Sequence, residues 1–192
     1  MIGIVSWAQA TSITIVPSGS VISGPYSYIY DETVTPGTSV ASASISFNNI
    51  ELTANGPAGI PNTLFYDLIN GNYASKTISS GETLTDYFQT TSPYDAKGIS
   101  DQLGYETLTL DKTISWTYTF SGQALTDLQN DFEKGYFDIG LDPNCVYDIG
   151  SIDLNYTPTT VKTVPTPDTA TTVSLLGMSF LGLVALRRKF AF

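Results

Sequence analysis

Four oxygen-bearing side chains, Asp138, Asp142, Asn144 and Asp148, lie within the run Asp138-Ile139-Gly140-Leu141-Asp142-Pro143-Asn144-Cys145-Val146-Tyr147-Asp148. Carboxylate and amide oxygens are what a hard cation such as calcium takes as ligands, so calcium is a candidate cofactor here. The spacing is not that of an EF-hand loop, which alternates its acids and then needs a glycine and a distal glutamate. A plainer account makes the run a turn, opened by Asp142-Pro143, with Asn144 tolerating a left-handed backbone.

A second candidate is Tyr26-Ser27-Tyr28-Ile29-Tyr30. In an extended strand Tyr26, Tyr28 and Tyr30 project to one face. A row of exposed rings offers a platform on which a sugar face stacks, although tyrosine is also an ordinary strand residue. No catalytic set accompanies these candidates. Histidine is absent and Cys145 is the one cysteine. This excludes a Ser-His-Asp hydrolase, a Cys-His protease, a His-ligated zinc site and an intrachain disulfide. Cys145 reads as a small buried hydrophobe. Among the carboxylates, Glu82 with Asp86 and Asp127 with Asp131 have spacings that suit helices only, and neither pair lies in a glycosidase motif. There is no Gly-rich phosphate loop. The expectation is a protein that is not an enzyme.

The chain of 192 residues has 18 acids and 8 basic residues. Arg187, Arg188 and Lys189 hold three of the basic residues and Asp168 one of the acids, so residues 1–167 carry 5 Lys against 17 acids, a net of −12. That balance opposes nucleic acid, which needs clustered cations, and anionic lipid. It suits a domain at a cell surface.

The C-terminus is organised in three parts. Val164-Pro165-Thr166-Pro167-Asp168-Thr169-Ala170 is followed by an uncharged run from Val173 to Leu186 and then by Arg187-Arg188-Lys189. Leu175, Leu176, Leu181 and Leu186 supply apolar surface, and Gly177 and Gly182 are common in membrane helices. Counted from Ala170, the stretch is near the lower end of the ~17–25 residues that span a bilayer. The basic triplet is expected to stay cytoplasmic and leave the body outside. At the other end, Ala8-Gln9-Ala10 fits a signal-peptidase site after the short apolar stretch Ile2 to Trp7, so residues 1–10 read as a truncated signal peptide.

The tail resembles the PEP-CTERM class of bacterial sorting signals, in its Val-Pro-Asp-Ser-Gly-type variant. The likeness rests on Val164, Pro165, Pro167 and Asp168, then Leu175-Leu176-Gly177, Leu181-Gly182 and the basic triplet, over roughly the last 29 residues. Thr166 and Thr169-Ala170 depart from the variant. The resemblance implies export, recognition by exosortase near Pro167-Asp168, and association with extracellular polysaccharide or biofilm matrix. The segment around Asp142-Pro143-Asn144-Cys145 is similar to a Gly-x-Asp-Pro-Asp-Cys-x-Tyr segment of exported sandwich proteins with such tails, with Asn144 in place of the second Asp. The expected role is structural or adhesive. The alternative is a carbohydrate-binding module, assisted by calcium, and a glycan-acting enzyme stands further off.

The elements that must position these residues read as strands. Ile114, Trp116, Tyr118 and Phe120 alternate with Ser115, Thr117 and Thr119, the mark of a half-buried antiparallel strand. Further strands are expected at residues 12–16, 39–47, 50–54, 64–68, 106–110, 135–141 and 151–156, separated by turns such as Pro36-Gly37 and Asn55-Gly56-Pro57. Ala124, Leu125, Leu128 and Phe132 recur at helical spacing before Gly135, predicting one short helix over 123–134. The expected chain is all-β: a jelly-roll-like sandwich of two antiparallel sheets with one short helix over residues 11–156, a Pro/Thr linker with the sorting motif over 157–169, and a transmembrane helix with basic tail over 170–192.

Overall fold

The structure is a computed structural model that describes residues 9–71, 73, 75–79, 86–90 and 100–159. The strand expected from strict alternation forms as β8 (Thr113–Thr119), with Thr113, Ser115, Thr117 and Thr119 exposed. Its inward Trp116 stacks on Phe47, with ring centroids 4.8 Å apart and planes 11° from parallel. Phe47 belongs to β4 (Val40–Ala54), whose other neighbour is β10 (Val146–Pro158). Beyond β10 lie β1 (Thr11–Val16) and, alongside it, β2 (Ser20–Ser23). These five strands make sheet A, in the order β1-β10-β4-β8 with β2 also on β10.

Sheet B has the order β6-β3-β9-β5-β7. Its strands are β3 (Tyr26–Thr33), β5 (Thr63–Ile69), β6 (Lys76–Ser79), β7 (Ser100–Thr107) and β9 (Tyr136–Pro143). Every ladder in both sheets is antiparallel. Ile45, Phe47 and Leu154 of sheet A and Leu64, Ile139 and Leu141 of sheet B belong to one apolar cluster, each fully buried. Two five-stranded sheets therefore face each other across a common core, as the alternating patterns require.

Helix α2 (Gly122–Lys134) buries Ala124, Leu128 and Phe132. It ends at Gly135, whose φ of 95° lets its N–H bond the carbonyls of Asp131 and Phe132. A side chain there would also meet Pro36, 2.6 Å from the Cβ position, so this C-terminal stop admits little but glycine. Helix α1 (Tyr87–Thr90) is a single turn.

Two expectations need correction. Strands 39–47 and 50–54 are one strand, β4: Asn48-Asn49 is a bulge, with Asn49 at φ 52° and its N–H held by Ser115 Oγ at 2.8 Å. The strand expected at 106–110 is β7, at Ser100–Thr107, because the Leu108 N–H turns to the Asn62 carbonyl. The four-residue β2 and β6, too short for an alternation to show, had no expectation at all. Among the described residues no helix is long and apolar enough to cross a membrane. The expected leader, up to residue 8, and the tail from residue 160 lie outside the described residues.

Candidate functional site

Strand β9 turns Phe137, Ile139 and Leu141 into the core, which places Asp138, Gly140 and Asp142 on the outer face of sheet B. An outer face ordinarily meets water, yet Asp138 is 0% and Asp142 2% exposed. The cover comes from the segment before β7. Phe88 of α1 is fully buried against Ile29 of β3 and Ile69 of β5, with Tyr73, Ile78 and Tyr87 packed around them. Gly140 is what admits the ring, because a Cβ there would stand 2.8 Å from Phe88 Cε2 and 2.9 Å from Ile69 Cδ1.

Carboxylates fasten that cover. Asp142 accepts Ser27 Oγ–H at 2.5 Å and the Tyr87 N–H at 2.8 Å. Asp138 accepts the Tyr73 N–H at 2.6 Å. Asp86 accepts the Phe88 N–H and Gln102 Nε2–H, each at 3.0 Å. Asp67 of β5, fully buried, lies across from Gly140 on the same face. Burial pushes the Asp138 carboxyl up to about 8, with Asp31 across the ladder raising it further and the Tyr73 N–H opposing. Burial also raises Asp142 to about 6 against the pull of Ser27 and Tyr87. Ser27 and Asp67 had no signal in the sequence, because the segment that buries them arrives from elsewhere in the chain; Asp86 was noted only as a partner of Glu82, and it lies in the covering segment itself, directly before α1.

The four calcium candidates do not come together. Asp138 and Asp142 sit under the cover of sheet B. Asn144 is 1% exposed in the turn between β9 and β10, with its N–H on the Thr63 carbonyl at 2.9 Å. Asp148 lies between the buried Tyr147 and Ile149 and so faces outward from sheet A. Among the described residues no group of three or more acidic or cysteine side chains is placed to hold a metal ion. The expected turn is displaced: Asp142 and Pro143 are the last residues of β9, paired with Phe65 and Leu64, the bend falls on Asn144-Cys145, and Asn144 is not left-handed, since among the described non-glycine residues only Asn49 and Asp111 are. Cys145 is buried, takes the Gly56 N–H at 3.1 Å and reaches Asn62 Oδ1 at 3.2 Å.

The tyrosine row is split. Tyr28 and Tyr30 pack against the core edge, ring planes 11° from parallel and centroids 6.3 Å apart, while Tyr26 is 42% exposed. Tyr28 Oη donates to the Ser23 carbonyl and accepts the Ser23 N–H, which fixes the ring. Burial, with Tyr28 alongside, pushes the Tyr30 phenol up to about 12, so it stays neutral. Both rings line an open cleft of about 460 Å³ with Ser20, Val21, Ser75 and Thr77, between β2 of one sheet and β3 with its neighbour β6 of the other.

The motif Val164, Pro165, Pro167 and Asp168, the apolar residues Val173, Leu175, Leu176, Gly177, Leu181, Gly182 and Leu186, and the basic Arg187, Arg188 and Lys189 all lie outside the described residues. No curated protein sequence matches the chain. A family model described as the VPDSG-CTERM motif matches residues 167–190, which takes in Pro167, Asp168, the apolar run and the basic triplet but not Val164 or Pro165. The chain carries a C-terminal sorting signal of the PEP-CTERM type, and that signal points to export and association with the cell envelope.

Proposed function

We propose that the chain is an exported cell-surface or matrix protein, sorted by exosortase and doing structural or adhesive work in extracellular polysaccharide. The match of residues 167–190 to a sorting motif carries this proposal. The apolar run supports a membrane helix over 170–192 that holds the body outside the cytoplasm until processing. The strand orders 1-10-4-8 and 3-9-5-7 support a jelly roll, a scaffold with few free edges. The net charge of −12 over residues 1–167 disfavours nucleic acid as a partner. No catalytic residue or cofactor enters the proposal.

The test compares cells that express the full chain with cells lacking exosortase and with a chain lacking residues 167–190. The full chain is expected in the envelope and matrix fractions in a trimmed form, and untrimmed without exosortase. Identical size and distribution in all three would contradict the proposal. A second reading is carbohydrate binding at the cleft, favoured by the fixed, parallel Tyr28 and Tyr30 rings beside three hydroxyl side chains. Isothermal titration with soluble oligosaccharides would support it if a Tyr28→Ala, Tyr30→Ala chain alone lost the heat, and would end it if that chain and the native one matched.

A further inference from the structure

Short strands, charges, proline and bulges are the devices that keep a free strand edge from pairing with another chain. Most edges of this sandwich carry one. On sheet B, β6 has only four residues, and β7 carries Glu106 and slips register between Gly104 and Gln102. On sheet A, the edge opposite β8 is split between the short strands β1 and β2, with Pro17 between them and a register shift from Thr14 to Val16. β8 has none of these devices. Its seven residues, Thr113-Ile114-Ser115-Trp116-Thr117-Tyr118-Thr119, include no charge and no proline. The Asn48-Asn49 bulge belongs to β4, and β8 passes it without a break. Among the described residues, β4 is the one strand paired with β8.

The backbone along that edge points outward at defined positions. The Phe120 N–H bonds the Ala43 carbonyl at 3.0 Å, so Thr119, paired with Ser44, turns its own N–H and C=O away from β4. Alternation gives Thr117, Ser115 and Thr113 the same direction. The core is open at the same place. Ile114, Trp116 and Tyr118 are only partly buried, whereas their register partners Ile50, Phe47 and Ile45 on β4 are fully buried.

A strand that covers this edge must bring outward-facing backbone groups, hydroxyls on one face and large apolar side chains on the other. A second β8 brings all three. Turned end for end about Trp116, it sets Ser115 against Thr117, Thr113 against Thr119 and Ile114 against Tyr118. The Ser115–Thr117 and Thr113–Thr119 pairs then exchange both backbone hydrogen bonds, and the two Trp116 residues form the close pair between them. Charge allows the contact here. Two bodies of net −12 over residues 1–167 repel each other, but this strip is uncharged, and Asp111 and Lys112 fall beyond the paired segment.

We propose that two copies of the chain pair antiparallel along β8, about a two-fold axis at Trp116, and so join their A sheets into one. The contact is isologous and closes on itself, so it makes dimers rather than fibres. A single strand pair buries little area, which places the association in the weak class.

The test is disulfide trapping in the full-length chain, kept in solution by a polyoxyethylene detergent. The native Cys145 is buried, so added cysteines dominate. Ser115→Cys and Thr117→Cys chains are mixed under mild oxidation. Cα atoms of such a hydrogen-bonded pair stand ~5.5 Å apart, within disulfide reach. The mixture should give roughly tenfold more covalent dimer than either chain alone. A mixture of Thr113→Cys and Thr117→Cys, two residues out of register, should give no such excess. Thr119→Pro, added to both chains of the first mixture, removes an outward N–H and no bond to β4, and should cut the excess severalfold. Native-like near-UV circular dichroism establishes that these chains are folded. Association through the tail would trap both mixtures alike. Equal trapping in the two mixtures, no excess in the first, or an excess that survives Thr119→Pro in folded chains would overturn the proposal.

Discussion

The two outer faces of this sandwich begin from the same local rule and end differently. On sheet A, Thr and Ser of β8 and β4 alternate with core residues and remain open to solvent. On sheet B, Asp138 and Asp142 alternate with core residues in the same way, yet Phe88 and its neighbours close over them. The open face can tolerate change. The closed face holds carboxylates that burial has pushed toward neutrality and that serve to fasten the cover. Polarity on the outer side of a strand therefore says where a residue points, and only the rest of the chain decides whether water reaches it.

The largest expected effect comes from removing the cover. Phe88→Ala deletes a fully buried ring and should cost about 3–5 kcal/mol, read as a lower urea midpoint. An unchanged midpoint would mean that sheet B is not closed. Gly140→Val keeps Phe88 but puts a side chain where its ring lies, and overpacking of this kind should cost about 1–3 kcal/mol.

The closed face also predicts the sign of a pH effect. With folded pKa values raised above the ordinary 3.8, to about 8 for Asp138 and about 6 for Asp142, the native state holds protons that the unfolded state has released. Stability should fall as pH rises from about 4 to about 8, and rise again on acidification through that window. Thermal melts across it check the direction, and Asp138→Asn should flatten most of the slope. A melting temperature that rises steadily toward about pH 8 would contradict the burial of these groups. The smallest effect belongs to the open face: Thr117→Lys should change stability by no more than about 0.5 kcal/mol in the same urea experiment.

Much of the open side was legible in the sequence. The alternation from Ile114 to Phe120 and the Ile152, Leu154 series gave β8 and much of β10, and the helical spacing ended by Gly135 gave α2. Each is a local pattern whose polar half stays polar in its surroundings. The closed side was not legible in this way. Asp138 and Asp142 looked like ligands or turn residues, because nothing near them in sequence announces that Tyr73, Tyr87 and Phe88 will pack above. Asn48-Asn49 looked like the gap between two strands, because a bulge breaks the alternation as a turn does. Tyr26, Tyr28 and Tyr30 looked like one exposed row, but Tyr28 and Tyr30 pack against the core edge, which depends on the two sheets meeting at β2 and β3. The tail was legible because order and composition, rather than tertiary contacts, define such a signal.

One measurement bears on export and on the open face together. The single native cysteine is buried, so an added one reports with little background. Chains carrying Thr117→Cys or Ser27→Cys would be treated, in whole cells with their shed matrix, with a membrane-impermeant maleimide. Thr117 is exposed on sheet A and Ser27 fully buried under the cover of sheet B. Labelling of Thr117→Cys without lysis, and of Ser27→Cys only after denaturation, is the predicted result. A Thr117→Cys chain that labels only once the cytoplasm is opened would contradict the account.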